Sequence, residues 1–177
     1  MTSDIRDLLT MELQDTYSAE TQLLDALPAM QEAATNPKLK QAFAEHLKVT
    51  EHQVERLEQV CKDLGIEPEG ESCNAMAGLV EESEEIIDEL DEGSVLDAAL
   101  IGAAQKVEHY EIAAYGTLTS LLKAMGETKA AALLAQTLEE EKAADELLTQ
   151  LAEAEVNPAA VGTAAANDQT KGSRGAA

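Results

Sequence analysis

The sequence predicts an all-α chain, a four-helix bundle whose middle connection is long and carries a short helix of its own. Three observations predict it. Apolar residues recur at helical spacing over four long segments, residues that cap helices bracket those segments, and the connections run short, long, short. At 177 residues and 45% hydrophobic content, with an Ala- and Leu-rich bias, one domain with a sizeable core is expected rather than a disordered acidic polymer.

The first helix starts after Thr2-Ser3-Asp4 and carries Ile5, Leu8, Leu9, Leu13, Thr16, Glu20, Leu23, Leu24 and Leu27 at helical spacing. It ends near Thr35-Asn36, and Pro28 is expected to kink it. Asn36-Pro37 is an N-cap followed by proline at the first helical position, and the second helix runs from there to Gly65. One of its faces presents Phe43, Leu47, Thr50, Val54, Leu57, Cys61 and Leu64. Gly93-Ser94 restarts the chain into a third helix reaching about Gly126, and Thr128 opens a fourth that is expected to stop before Asn157-Pro158. The bundle domain is thus placed at 1–157, with a disordered tail over 158–177, where Ala, Gly and polar residues show no periodicity.

Between the second and third long helices, residues 66–93 hold eleven acidic residues and no Lys or Arg. Leu79, Ile86, Ile87 and Leu90 still share a helical face there, so a short helix is expected within the crossover. A middle link that crosses the length of the bundle is the ferritin-like connectivity rather than plain up-down-up-down.

Twelve Lys and Arg against 35 Asp and Glu leave a formal charge of −23, a field that repels phosphate backbones and anionic headgroups. Nucleic acid and membrane surfaces are therefore excluded as partners, and cations are favoured. With no run of 18 apolar residues and no basic or apolar leader at Met1-Thr2-Ser3-Asp4, a soluble, cytoplasmic protein is expected. Cys61 and Cys73 fit neither a disulfide framework nor a zinc pattern and read as two buried thiols.

The chemistry lies in acids on stripes that should be apolar. The fourth helix reads Leu134, Leu138, Glu141, Asp145, Leu148; the third reads Ile101, Gln105, Glu108, Ile112, Tyr115, with Glu111 at the edge; the first sets Glu20 between Thr16 and Leu23. Burying an unpaired carboxylate costs several kcal/mol, so mid-length acids on three helices call for a shared explanation, and a metal centre supplies one. Glu20 and Glu108 fit the single-Glu roles of a two-metal carboxylate site, Glu111 adds a carboxylate one turn on, and Glu141 with Asp145 stands where a Glu and His pair is common. In the second helix, Val49 and Thr50 occupy the ligand level, flanked by His46 and Gln53, while His52 turns away from the stripe. His46 and Gln53, with Tyr17 and Tyr115 near Glu20 and Glu111, are candidates for weak ligation or for orienting a ligating carboxylate. The bland alternatives are solvated carboxylates at the stripe edges and hydrogen-bonded packing for His46 and the tyrosines.

The stretch Asp15 to Glu20, the string AALIGAAQKVEHYEIAAYGTL over 98–118 and TLEEEKAAD over 137–145 resemble the YciE/YciF stress-protein family of ferritin-like proteins, over about residues 4–156. The resemblance implies a rubrerythrin-like bundle, a homodimer and a di-metal centre with iron or manganese. It carries the family's acids onto Glu20, Glu108, Glu111, Glu141 and Asp145. The family's second-helix glutamate falls on Val49, which implies a weakened second site, a single metal, or Glu51 or His52 moving in after a helix distortion.

Two function classes follow. The first is a ferritin-like stress-response protein with two divalent ions, an oxidoreductase if an enzyme, that handles peroxide or metal. The second is a non-catalytic binding or assembly scaffold with a degenerate metal site, whose acidic crossover at 66–93 docks a protein partner. No nucleophile–base pair and no Gly-rich phosphate loop supports other enzyme chemistry. A DNA-protecting shell lacks a basic arm, the tail having only Lys171 and Arg174 against Asp168.

Overall fold

The computed structural model describes residues 4–162. The element order is α1 (Ile5–Ala33), α2 (Pro37–Leu64), α3 (Asn74–Glu89), α4 (Ser94–Ala124), α5 (Thr128–Leu151) and a π-helical turn (Ala152–Val156). No strand occurs among the described residues, and no helix among them is long and apolar enough to cross a membrane.

At α1 and α2 the caps expected from the sequence are formed by the expected atoms, whereas α4 and α5 begin without a side-chain cap. The Asp4 carboxylate accepts from the amides of Arg6 and Asp7 and starts α1, and the Asn36 side chain accepts from Lys38 and Leu39 at the start of α2. Gly65, at φ 70°, closes α2 in the left-handed conformation that glycine adopts without a Cβ penalty. The helix α1 is continuous through Pro28, whose ring lies on the exposed side. The thiol of Cys73, rather than a Ser or Asp, caps α3 by accepting from the amide of Met76 at 3.4 Å. Both cysteines are buried and free.

One boundary differs from the sequence expectation. The last helix does not stop before Asn157-Pro158, because the backbone widens into the π turn, in which the Asn157 amide donates to the Ala152 carbonyl. This wider turn immediately precedes the proline, and helix then continues through residue 162. Val156, almost fully buried, anchors the extension. The remainder of the expected tail, 163–177, lies outside the described residues.

Helix α1 packs along α2, α4 along α5, α2 against α5 and α1 against α4, while α3 lies on α1 and α4 within the crossover. Buried Asp97, in the first turn of α4, ties the two halves together. Its carboxylate accepts from the Thr35 amide at 2.6 Å, the Thr35 hydroxyl at 2.6 Å and the Asn36 amide at 3.0 Å, which fixes the α1–α2 turn. Replacing Asp97 by Ala would remove the acceptor of all three bonds while exposed Thr35 and half-buried Asn36 can turn to water, and we expect a loss of about 1 to 3 kcal/mol, read as a lowered urea midpoint.

The apolar core is divided in two. One cluster gathers Leu23, Leu27, Met30, Phe43, Leu100, Val107 and Leu148; the other gathers Leu9, Leu13, Leu57, Tyr115, Leu118, Leu122 and Leu134. Along each long helix the residues between the clusters are buried and polar: Thr16 and Glu20 on α1, Thr50 and Gln53 on α2, Glu108 and Glu111 on α4, Thr137 and Glu141 on α5. A polar layer therefore crosses the bundle at mid-length, between two apolar clusters.

Candidate metal centre

Each of the four long helices sends a side chain into this layer. Glu20 and Glu141 are wholly buried, and Glu111 and Glu108 are 1% and 3% exposed. Ligand-type atoms of His46, Glu108, Glu111 and Glu141 all lie within 4.8 Å of one another. His46 Nε2 is 3.4 Å from a Glu108 oxygen and 3.9 Å from a Glu141 oxygen, yet makes a hydrogen bond to neither. Glu20 stands next to this quartet, and its charge acts on both Glu141 and Glu111.

Side chains around the acids hold them in place. The Tyr115 hydroxyl donates to Glu20, and the Gln53 amide donates to Glu141 and, at 3.2 Å, to Glu140. The Arg56 guanidinium grips Glu140 through two hydrogen bonds of 2.9 and 3.1 Å and also meets the Thr137 hydroxyl. Arg56 thus neutralises Glu140 at the edge of the layer and leaves the central acids without an ion-pair partner of their own. Sequence reading missed Arg56; its position three residues after Gln53, on the same helical face, was the available signal.

Electrostatically the layer is frustrated. Burial first, then neighbouring acids, push all four carboxyls upward: Glu108 to about 8, Glu141 to about 9, and Glu20 and Glu111 well above the ordinary carboxylate range. Burial likewise lowers His46 to about 4, so its ring is neutral at pH 7. Both oxygens of Glu111 and one each of Glu20, Glu108 and Glu141 are buried without a hydrogen-bond partner, as is His46 Nε2. Leaving such groups dry and unpaired is costly, and a cation or a set of bound protons removes the cost.

Glu20, Glu108, Glu111 and Glu141 are where the register placed them, and Gln53 and Tyr115 do orient carboxylates. His46 enters the cluster directly, a more central place than the packing role that its stripe-edge position suggested. Two candidates do not converge. Asp145 turns to the α4–α5 seam, where it accepts from Gln105 at 2.9 Å and faces exposed His109 at 3.5 Å, because a position four residues after Glu141 overshoots the buried face. The Tyr17 hydroxyl reaches the other way, donating to Glu58 at 3.2 Å near the surface. Helix α2 is regular, and Glu51 and His52 are exposed, so neither brings a ligand to the level of Val49.

Residues 4–161 match the family model described as a domain of unknown function (DUF892). The chain is 51% identical to protein YciF of Escherichia coli strain K12 over 86% of its own length and 93% of that protein's. The crystal structure of the E. coli stress protein YciF superposes with a TM-score of 0.85 at 50% identity, covering 88% of this chain and 99% of that one. YcfI from Rhodopseudomonas palustris superposes with a TM-score of 0.81 at 46% identity, covering 83% and 94%.

Proposed function

The chain belongs to the DUF892 family, alongside the E. coli stress protein YciF, and from that premise we propose that its bundle holds a carboxylate-rich centre for two divalent ions, iron or manganese, used in stress-linked redox, peroxide or metal handling. The observation that carries the reading is the set of buried, unpartnered ligand atoms on His46, Glu108, Glu111, Glu141 and Glu20. The donor set is chemically apt: hard carboxylate oxygens with one neutral imidazole suit iron(II) and manganese(II). His46, Glu108, Glu111 and Glu141 would hold one ion, and Glu20 with the shared acids the second, the more weakly held because α2 offers Val49 in place of a carboxylate. When bound, such ions supply redox equivalents and Lewis acidity. The protein's own part is to orient Glu20 through Tyr115 and Glu141 through Gln53, and to flank the layer with its two apolar clusters. Family resemblance extends the reading to a homodimer.

Anaerobic loading with iron(II) or manganese(II) tests it. Because the metal binds only the folded chain, the melting temperature is expected to rise with metal concentration, and a Glu20→Gln, Glu108→Gln, Glu141→Gln triple variant is expected to show no rise. An unchanged melting temperature with no retained metal in the native chain contradicts the reading.

A scaffold reading is favoured by one observation, the eleven acids and no Lys or Arg of residues 66–93, carried on α3 and its flanks. In that case the triple variant keeps its partner binding and the metal is incidental.

A further inference from the structure

A cavity of about 290 Å³ opens between α2 and α5 beside half-exposed Leu147 and runs inward to His46 and Glu108. Its walls are mostly apolar, from Leu27, Met30, Phe43, Val49, Val107 and Leu148. Val49 forms part of this wall, so the residue that deprives α2 of a carboxylate also gives the cavity an apolar side. Small residues keep the entrance open, with Ala42, Ala143 and Ala144 facing one another across the two helices.

We propose that this cavity binds an uncharged apolar molecule with a single terminal hydroxyl, its body between α2 and α5 and its oxygen at His46 and Glu108. The size follows from comparison: an apolar cavity of about 150 Å³ accepts benzene, so this one accepts a two-ring aromatic or a medium-length alkyl chain. The head group follows from the inner end. His46 Nε2 and one Glu108 oxygen are buried there without partners. A hydroxyl donates to one and accepts from the other, whichever of the two holds a proton. A carboxylate or phosphate finds no Lys or Arg anywhere in the lining and meets Glu108, Glu45 and Glu140 instead. An ammonium loses its hydration to the apolar walls along the whole body of the cavity, and Glu140 at its edge is already paired with Arg56. The inference goes beyond the metal reading and does not require it: the hydroxyl takes His46 and Glu108 in the metal-free chain, where no ion occupies them.

The test is titration of the full-length chain with 2-naphthol, followed by naphthol fluorescence, after chelator treatment and in parallel after iron(II) loading. Saturable binding is expected in the chelated protein, displaced by 1-octanol but not by octanoate or octylamine. Ala144→Phe, which fills the entrance at a half-buried position, is expected to weaken naphthol at least about tenfold with the metal content unchanged. No saturable signal, equal binding of 2-naphthoate, displacement by octylamine, or an unaltered Ala144→Phe variant would each overturn the proposal. The chelated arm reads the cavity alone, so naphthol binding without retained iron sinks the metal reading and not this one, and retained iron without naphthol binding does the reverse.

Discussion

Glu108→Gln and Glu141→Gln are each expected to weaken iron(II) or manganese(II) binding by more than about 100-fold while making the metal-free chain more stable. The two effects have one cause. Each carboxyl is buried among others of its kind, with an oxygen that no donor reaches, so the metal-free fold carries the cost of a charge or the constraint of a proton it would not otherwise hold. Gln keeps the shape and removes the charge, which relieves the fold and takes away a ligand. Loss of a neighbour that only orients a ligand costs about 10- to 100-fold in affinity, so direct ligands should exceed that range. Gln53→Ala belongs to the milder class, because its amide only positions Glu141. Isothermal titration with metal, paired with urea unfolding of the same chelated samples, reads both quantities. A carboxylate that served packing alone would lower stability when replaced and leave metal affinity where it was.

The second large effect is a dependence of metal-free stability on pH that metal removes. Glu108 and Glu141 titrate from 4.5 in the unfolded chain to about 8 and about 9 in the fold, so between those values the folded state binds more protons than the unfolded one and stability falls as pH rises. His46 acts oppositely at lower pH. Its folded value of about 4 lies below the unfolded 6.5, so its contribution is lost as pH falls through that range. The two trends oppose each other below 6.5, and only the carboxyl trend operates from 6.5 to 9. The melting temperature of the chelated protein is therefore expected to decline across pH 6.5–9, by an amount equivalent to several kcal/mol. With metal in place of the protons the decline should vanish, because ligand carboxylates are already ionised. In the Glu108→Gln, Glu141→Gln double variant it should also be much reduced. A flat profile in the chelated native chain contradicts the frustrated layer.

The architecture was legible in the sequence because it is written in caps and periodicity. Asp4, Asn36 and Gly65 each do locally what their residue types favour, and the long acidic crossover leaves few other connectivities. The acids were legible for a related reason: a Glu in phase with Leu residues on both sides is an inconsistency that a helical wheel exposes. What escaped was directional. Whether Asp145 turns inward depends on a few tens of degrees and on the Gln105 amide at the seam, which donates to Asp145 and to Thr149. Tyr17 and Tyr115 are each one turn or less from an acid in sequence, yet only Tyr115 points to the layer, because side-chain direction is set by the packed neighbours and not by spacing. His46 was undervalued for the same reason, its ring lying 3.4 Å from a Glu108 oxygen rather than along the stripe edge. The π turn that carries the helix past Pro158 leaves no composition signal at all.

Whether the polar layer is a metal centre is decided by anomalous X-ray diffraction from crystals of the anaerobically iron-loaded chain, which reports occupancy and ligands together. A strong peak is expected enclosed by His46, Glu108, Glu111 and Glu141, and a second, weaker one beside Glu20, about two ions per chain at full loading. A map from a loaded crystal with no peak within the bundle, and the same side chains hydrogen-bonded to one another or to water, would contradict a metal centre there.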